Sequence, residues 1–213
     1  MRTTAAPLVR SFAPLFRADA RVLVLGSMPG TASLAAAQYY AHPRNAFWPI
    51  MGALFGAGPE LPYAQRLERL ASAGVALWDV IGRCARAGSL DSAIAPASIE
   101  ANDFAGLFAA CPGIGHVFFN GTAAETAFRR HVRGSIVLPA LRFARLPSTS
   151  PAHAARGLEA KLAAWQVVKD SAEPAPAANE RPASAATVAY AVTREATARE
   201  ATARGAMPAI QAA

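Results

Sequence analysis

The sequence predicts an α/β domain, a small and mostly parallel sheet flanked by helices on both faces, followed by a disordered C-terminal tail. Three observations predict it. Short apolar runs ending in Gly or Asn, "RVLVLG" (Arg21 to Gly26) and "GHVFFNG" (Gly115 to Gly121), have the pattern of strands buried on both faces that deliver a loop at their carboxyl ends. Between such runs lie stretches of helical periodicity, and alternation of the two favours a parallel sheet. With 213 residues, 53% of them hydrophobic, the chain can bury a sizeable core.

Taken in order, "MRTTAAPLVRSFAPLFRADA" is interrupted by arginines and prolines before any long apolar run develops, so it reads as neither signal peptide nor membrane span. "RVLVLG" is the first strand. Asn45 can cap a helix over "AFWPIMGALFG". "LPYAQRLERLASAG" places Leu67, Leu70 and Ala71 on one helical face and stops at Gly74. "GVALWDV" reads as a further short extended piece. A helix over "NDFAGLFAACPG" runs from an N-cap at Asn102 to Pro112, and Thr122 with Glu125 fits a capping box opening the next helix. "GSIVLP" (Gly134 to Pro139) and "LRFARLP" (Leu141 to Pro147) read as two more strands. In "STSPAHAARGLEAKLAAWQVVKD", Ser150 caps, Pro151 takes the first helical position, and Leu158, Leu162, Trp165 and Val168 form the buried stripe.

Composition divides the chain into a domain over 1–170 and an Ala/Pro-rich, low-complexity segment over 171–213. The second segment carries the near-repeat "TREATAREATARGA" and a single aromatic, Tyr190. So little large apolar surface does not offset ordering entropy, and the alternative is an Ala-rich helix docked on the domain. Four Glu (Glu173, Glu180, Glu195, Glu200) and four Arg (Arg181, Arg194, Arg199, Arg204) cancel there, so the formal charge of +7 belongs to the first 170 residues. A basic domain beside a neutral tail suggests a polyanionic partner, most simply nucleic acid. Cys84 and Cys111 lie far apart with no CxxC or His-rich company, which argues against structural zinc and for free thiols in the cytoplasm.

In open α/β sheets ligands collect outside the carboxyl ends of the strands, and three such ends here are unusual: "GSMPG", "FFNG" and "LPSTSP". Each alone has an ordinary explanation. "GSMPG" is neither a P-loop nor a GxGxxG fingerprint and suits a structural turn. Tyr39 and Tyr40 suit a core, and His42 before Pro43 suits a solvated loop.

Together, and in this order, "GSMPG", "YYAHPRNAFW", "FFNG" and "LPSTSPAHA" resemble the uracil-DNA glycosylase superfamily, most closely its hypoxanthine-DNA (deoxyinosine) glycosylase branch, over roughly Phe12 to Lys169. The resemblance implies an enzyme that flips a deaminated base out of DNA and hydrolyses its N-glycosidic bond, initiating base excision repair. No metal, cofactor or membrane is implied, and a monomer suffices. Such chemistry needs the base held on an aromatic face, read along its Watson–Crick edge, and attacked by a positioned water.

The resemblance assigns Tyr40 to stacking on the base and Asn120, at the end of "HVFFN", to reading it, because one amide offers adjacent donor and acceptor. Gly26, Ser27 and Met28 line the base, with backbone N–H groups near Ser27 and Met28 available to the departing ring. Met28 stands where better-known relatives hold an Asp or Asn, so water positioning falls to Asn45. An amide is a poor general base, which limits Asn45 to positioning and electrostatics. His42, Ser148, Thr149, Ser150 and His153 are the expected DNA contacts, and the tip from Pro151 to His153 is the expected wedge. Leu146 replaces a histidine found in several branches. It joins Met28 in an apolar, adaptable wall suited to a purine, whence an expected preference for inosine over uracil. Asp79, in "ALWDVIGRCARAGSLDSAI", is read as a structural acceptor rather than a second polar group of the cleft. The competing readings are a uracil- or mismatch-specific glycosylase, an inactive nucleic-acid-binding module on the same fold, and a small-molecule enzyme using the Gly loop.

Overall fold

The computed structural model describes residues 6–174. The expectation for the tail therefore lies, from residue 175 onward, outside the described residues.

A four-stranded parallel sheet, in the order β3-β2-β6-β7, forms the centre of the domain. Its strands are β2 (Val22–Gly26), β3 (Val75–Asp79), β6 (His116–Asn120) and β7 (Arg142–Leu146). The first and second of these are buried at every position, as continuous apolar runs require. A smaller antiparallel sheet joins β1 (Leu8–Arg10), β4 (Ile81–Ala85) and β5 (Glu100–Ala101), which the sequence reading did not anticipate.

Alternation along the central strands sorts their side chains into two cores. Leu23, Leu25, Ala76, Trp78, Val117 and Phe119 meet α4 (Phe104–Ala110) and α5 (Thr122–His131). Val22, Val24, Val75, Leu77 and Phe118 meet α2 (Phe47–Phe55), α3 (Tyr63–Ser72) and α6 (Leu158–Ala172). Helices thus cover both faces. A short α1 (Thr31–Ala36) follows the first loop. The chain leaves β2 for β3 on one side and returns past it to β6 on the other, so β2 and β6 flank a topological switch point, where a crevice opens at the carboxyl ends.

Four local expectations need correction. "GSIVLP" forms no strand: Ser135 hydroxyl donates to Val132 carbonyl oxygen at the end of α5, Ile136 and Leu138 lean on the core, and Val137 is 99% exposed. Its period-two pattern serves docking of a loop, because β7 already pairs with β6. The cap of α4 is Asp103, whose carboxylate accepts from Gly106 N–H, while Asn102 donates to the Asp79 carbonyl at 2.8 Å. No capping box opens α5. Gly121 is its cap, Thr122 is already inside the helix, and Glu125 pairs with Arg145. Ser150 caps only a 3-10 turn, Pro151–His153, and α6 starts at Leu158, half exposed, so the buried stripe begins at Leu162 and deepens at Trp165 and Val168.

Helix α6 continues past residue 170. Ala172, in the last turn of α6, is buried, and Arg21 Nε donates to its carbonyl oxygen.

Candidate functional site

A cleft of about 160 Å³ opens at the carboxyl edge of the central sheet, and residues from all three expected loops line it. Gly26, Ser27, Met28, Tyr40, His42, Asn45, Asn120, Ser148, Thr149 and Ser150 are brought together there. His153 is exposed and lies outside it, bordering an adjoining trough.

Glycine at position 26 is a consequence of crowding. A Cβ there would collide with the carboxylate of Asp79 and lie 3.1 Å from the Tyr40 hydroxyl. Asp79 cannot retreat, since it is 3% exposed and accepts a hydrogen bond from Ser11 at 3.1 Å. Gly121 is likewise obligatory: its φ of +93° is left-handed, and a Cβ would meet Ser148 Cβ at 2.8 Å.

The "YYAHPRN" segment is held from several directions. Trp48 Nε1 donates to the Tyr39 carbonyl at 2.8 Å, Tyr39 N–H donates to the Tyr63 hydroxyl, and Ala41 N–H donates to Ser33. These bonds hold Tyr40 in the left-handed region, φ +53°, an uncommon state for a bulky residue. Its ring stacks on Phe47 at 4.0 Å between centroids with planes 23° apart, so one face is backed by core while the residue lines the cleft. The Tyr40 hydroxyl is buried and has no partner among the described residues. Burial, then the neighbouring charge of Asp79, pushes its pKa well above the ordinary phenol value, and the nearby Asn120 side chain, outside hydrogen-bond geometry, opposes the shift.

Asn45 follows as the segment turns into α2. Its Oδ1 accepts from the N–H of Phe47, the first residue of α2, at 3.0 Å, yet the cap position is Ala46 and not Asn45 as expected, and the Asn45 amide N–H groups have no acceptor among the described residues. His42 Nδ1 accepts from Arg44 N–H, so one ring nitrogen is spent inside the motif.

Asn120 and Thr149 are bonded twice. Thr149 N–H donates to Asn120 Oδ1, and Asn120 Nδ2 donates to the Thr149 hydroxyl, both at 2.8 Å. A backbone N–H can only donate, which fixes the orientation of the amide. Both bonds reach the same residue, so they occupy the amide edge on which C=O and N–H lie side by side. Bidentate reading of a base by Asn120 would need that edge, and Thr149 holds it. One N–H and one lone pair remain. Thr149 itself is 1% exposed, and its carbonyl accepts from Ala46 N–H. It braces the site and does not face the surface as a phosphate contact would. Ser148 and Ser150 remain half-buried at the rim; their oxygens accept from Ser150 N–H and Ala152 N–H, leaving each O–H free to donate.

Met28 lines the cleft while its side chain joins the core cluster with Leu25 and Trp78. Leu146 does not share that wall. It is buried in the opposite cluster with Phe118 and Trp165 and is absent from the cleft lining, so the apolar wall expected of the pair reduces to Met28.

Two groups escaped the sequence reading. Asp79, expected to be structural, lines the cleft, and burial pushes its carboxyl up to about 7; the Ser11 hydroxyl bond and Arg86 oppose the shift, and Asp91 adds to it. The signal available was its place at a strand's carboxyl end, beside Gly26 in the register. Arg86 is 1% exposed and donates through Nη2 to the Pro29 carbonyl, so a buried cation supports the first loop from beneath. Nothing in the spacing of "GRCARAG" pointed to that contact. Among the described residues no group of three or more His, Cys, Asp or Glu could hold a metal, and no helix is long and apolar enough to cross a membrane.

The family model described as "Uracil DNA glycosylase superfamily" matches residues 13–169. A hypoxanthine DNA glycosylase of Methanosarcina barkeri is 36% identical over 113 residues, 53% of this chain and 70% of that protein. One of the same name from Methanosarcina acetivorans is 35% identical over 116 residues, 54% of this chain and 72% of that protein. A solution NMR structure from Methanosarcina acetivorans, described as a candidate uracil DNA glycosylase, superposes with a TM-score of 0.64 at 30% identity, covering 78% of this chain and 99% of that one. By the extent of the family match and by these identities, the chain belongs to the uracil DNA glycosylase superfamily, on the branch whose relatives are named hypoxanthine DNA glycosylase.

Proposed function

We propose that this protein is a monofunctional DNA glycosylase that removes hypoxanthine from deoxyinosine in DNA. The observation that carries the reading is the cleft itself, where a backed aromatic ring, an Asn45 amide with its oxygen held by Phe47 N–H, and the polar groups of Asn120 and Asp79 converge. The names of the relatives supply the substrate class.

In this mechanism the flipped base lies against the Tyr40 face opposite Phe47, an interaction worth about 1 to 3 kcal/mol whatever the base. The free N–H groups of Asn45 hold a water facing the sugar carbon as the glycosidic bond lengthens and oxocarbenium character develops. Attack by this water breaks the C–N bond; its proton leaves to solvent and the base departs with the bonding electrons. Backbone N–H groups of the first loop, braced by Arg86, face the negative charge that builds on the departing ring.

Base reading is shared. Asn120 keeps one donor and one acceptor after Thr149 is satisfied. Asp79, titrating near 7, presents an acceptor and, in its acid form, a donor. In hypoxanthine, N1–H donates to the free Asn120 lone pair and O6 accepts from the acid form of Asp79. Met28, flexible and apolar, leaves room for the larger purine.

The decisive experiment measures single-turnover release of base from matched oligonucleotides carrying inosine, uracil or xanthine, with alkali to cut abasic sites. Hypoxanthine released fastest supports the reading. Uracil released faster in every opposite-base context overturns it in favour of a uracil enzyme. DNA binding without any release leaves a binding module.

A further inference from the structure

We infer that Leu90 is the wedge that enters the DNA stack when the damaged nucleotide is turned out. The inference rests on the proposed reading of the chain as a DNA glycosylase.

Extracting a base leaves a gap between its neighbours, and proteins that unstack DNA fill such gaps with Leu, Ile, Phe, Met or Pro side chains. The tip from Pro151 to His153 offers no such group, since Pro151 is half-buried and the exposed residues are an alanine and a histidine. Six large apolar side chains are exposed among the described residues: Leu8, Leu90, Val137, Phe143, Leu158 and Val167. Only Leu90 borders the cleft region. Its neighbours Ser89 and Asp91 line the base cleft, and Leu90 lines the trough of about 630 Å³ that adjoins it.

The loop is fastened on both sides of the exposed side chain. Thr31 N–H donates to the Ser89 hydroxyl at 2.9 Å, and the Ser27 hydroxyl donates to Asp91 at 2.7 Å. Ala93 N–H closes a turn on the Leu90 carbonyl at 3.0 Å. Leu90 is therefore 60% exposed on a braced loop, tied to the segment that lines the flipped base. A wedge set in place before binding loses little conformational freedom when it enters the stack. No core contact explains an apolar residue there, and the hydroxyl and carboxylate bonds on either side explain how it is held out.

The test compares wild type, Leu90→Ala and Leu90→Phe on one inosine strand, alone and in duplex, under single-turnover conditions. A wedge acts only where a stack must be opened. Leu90→Ala should slow duplex excision roughly tenfold or more and leave single-strand excision within about twofold, since unstacking costs a few kcal/mol and each 1.36 kcal/mol is tenfold. Leu90→Phe should keep most of the duplex rate. Equal loss on both substrates, or no loss on either, overturns the inference. A 2-aminopurine beside the inosine reports opening without chemistry: its fluorescence should rise on binding of wild type and not of Leu90→Ala. If wild type raises that signal yet releases no base, the glycosylase reading fails while the wedge stands; equal signals from both proteins sink the wedge alone.

Discussion

Thr149 closes both hydrogen bonds of the Asn120 amide edge at 2.8 Å, so the residue expected to read the base is first read by its own protein. Thr149→Val removes the hydroxyl and keeps the backbone N–H. It should lower single-turnover excision of hypoxanthine about tenfold, since a buried N–H left without its acceptor costs about 1 to 3 kcal/mol and lets the amide swing. Affinity for undamaged DNA should be unchanged, and Thr149→Ser should restore the rate. Loss of affinity for undamaged DNA in Thr149→Val would return Thr149 to the phosphate contacts.

Asn45 Oδ1 accepts from the first N–H of α2, and the residue lines the cleft with its amide N–H groups unpaired among the described residues. Asn45→Ala should therefore reduce the excision rate about a hundredfold while weakening DNA binding little, the loss expected when a reacting water is misplaced. Asn45→Asp keeps an oxygen for Phe47 N–H and retains part of the rate. A melting curve separates the two roles, because Asn45→Asp preserves Tm and Asn45→Ala lowers it by about 2 to 4 °C, the loss of one hydrogen bond worth about 1 kcal/mol.

The face that Tyr40 offers a base depends on its ring, and its buried hydroxyl has no partner. Tyr40→Phe should leave excision nearly unchanged and hold or raise Tm. Tyr40→Ala should weaken binding of inosine-containing DNA by about 1 to 3 kcal/mol in a fluorescence titration. Equal behaviour of the two variants would show that the ring is not a platform.

Asp79 should make stability depend on pH with a defined sign. Its carboxyl titrates near 7 in the fold against an ordinary value of 3.8. Between those values the native state keeps a proton that the unfolded chain has lost, so stability falls as pH rises from about 4 to about 7 and is level above. Asp79→Asn removes this fall and should raise Tm at pH 8 by about 3 to 8 °C, as relief of a buried, weakly compensated charge would. Thermal melts across pH 4 to 8 decide it; parallel curves for the two proteins would place the carboxylate in a solvated setting. Excision by wild type should also decline above neutrality as the donor on Asp79 is lost.

The end of α6 gives a length test. Because Ala172 is buried and its carbonyl is held by Arg21, a chain ending after Pro174 should keep the Tm and excision rate of the full sequence. One ending after Asp170 should melt several degrees lower. A rate loss in the Pro174 truncation at unchanged Tm would assign the residues beyond it a part in catalysis.

Local chemistry determined the central strands and the helices built on strong periodicity. Val22–Leu25 in "RVLVLG" and Val117–Phe119 in "HVFFN" are unbroken apolar runs, and only burial on both faces satisfies that pattern; Leu67, Leu70 and Ala71 share a face through a 3.6-residue repeat. The same runs fixed where loops leave the sheet, and hence which loops meet: the parallel register carries Gly26, Asp79 and Asn120 to one edge. Tertiary structure decided what those residues do there. Whether "GSIVLP" pairs depended on β7 already filling the place beside β6, a competition between segments that no single segment records. Whether Leu146 lines a pocket depended on its side of the sheet, which one register step reverses. Whether Thr149 faces DNA or Asn120, and whether Asp79 is bracing or cleft, depended on hydrogen bonds spanning 29 and 68 residues of chain. Periodicity and local spacing record the neighbours along the chain, and a buried polar group answers to the neighbours that folding brings across it.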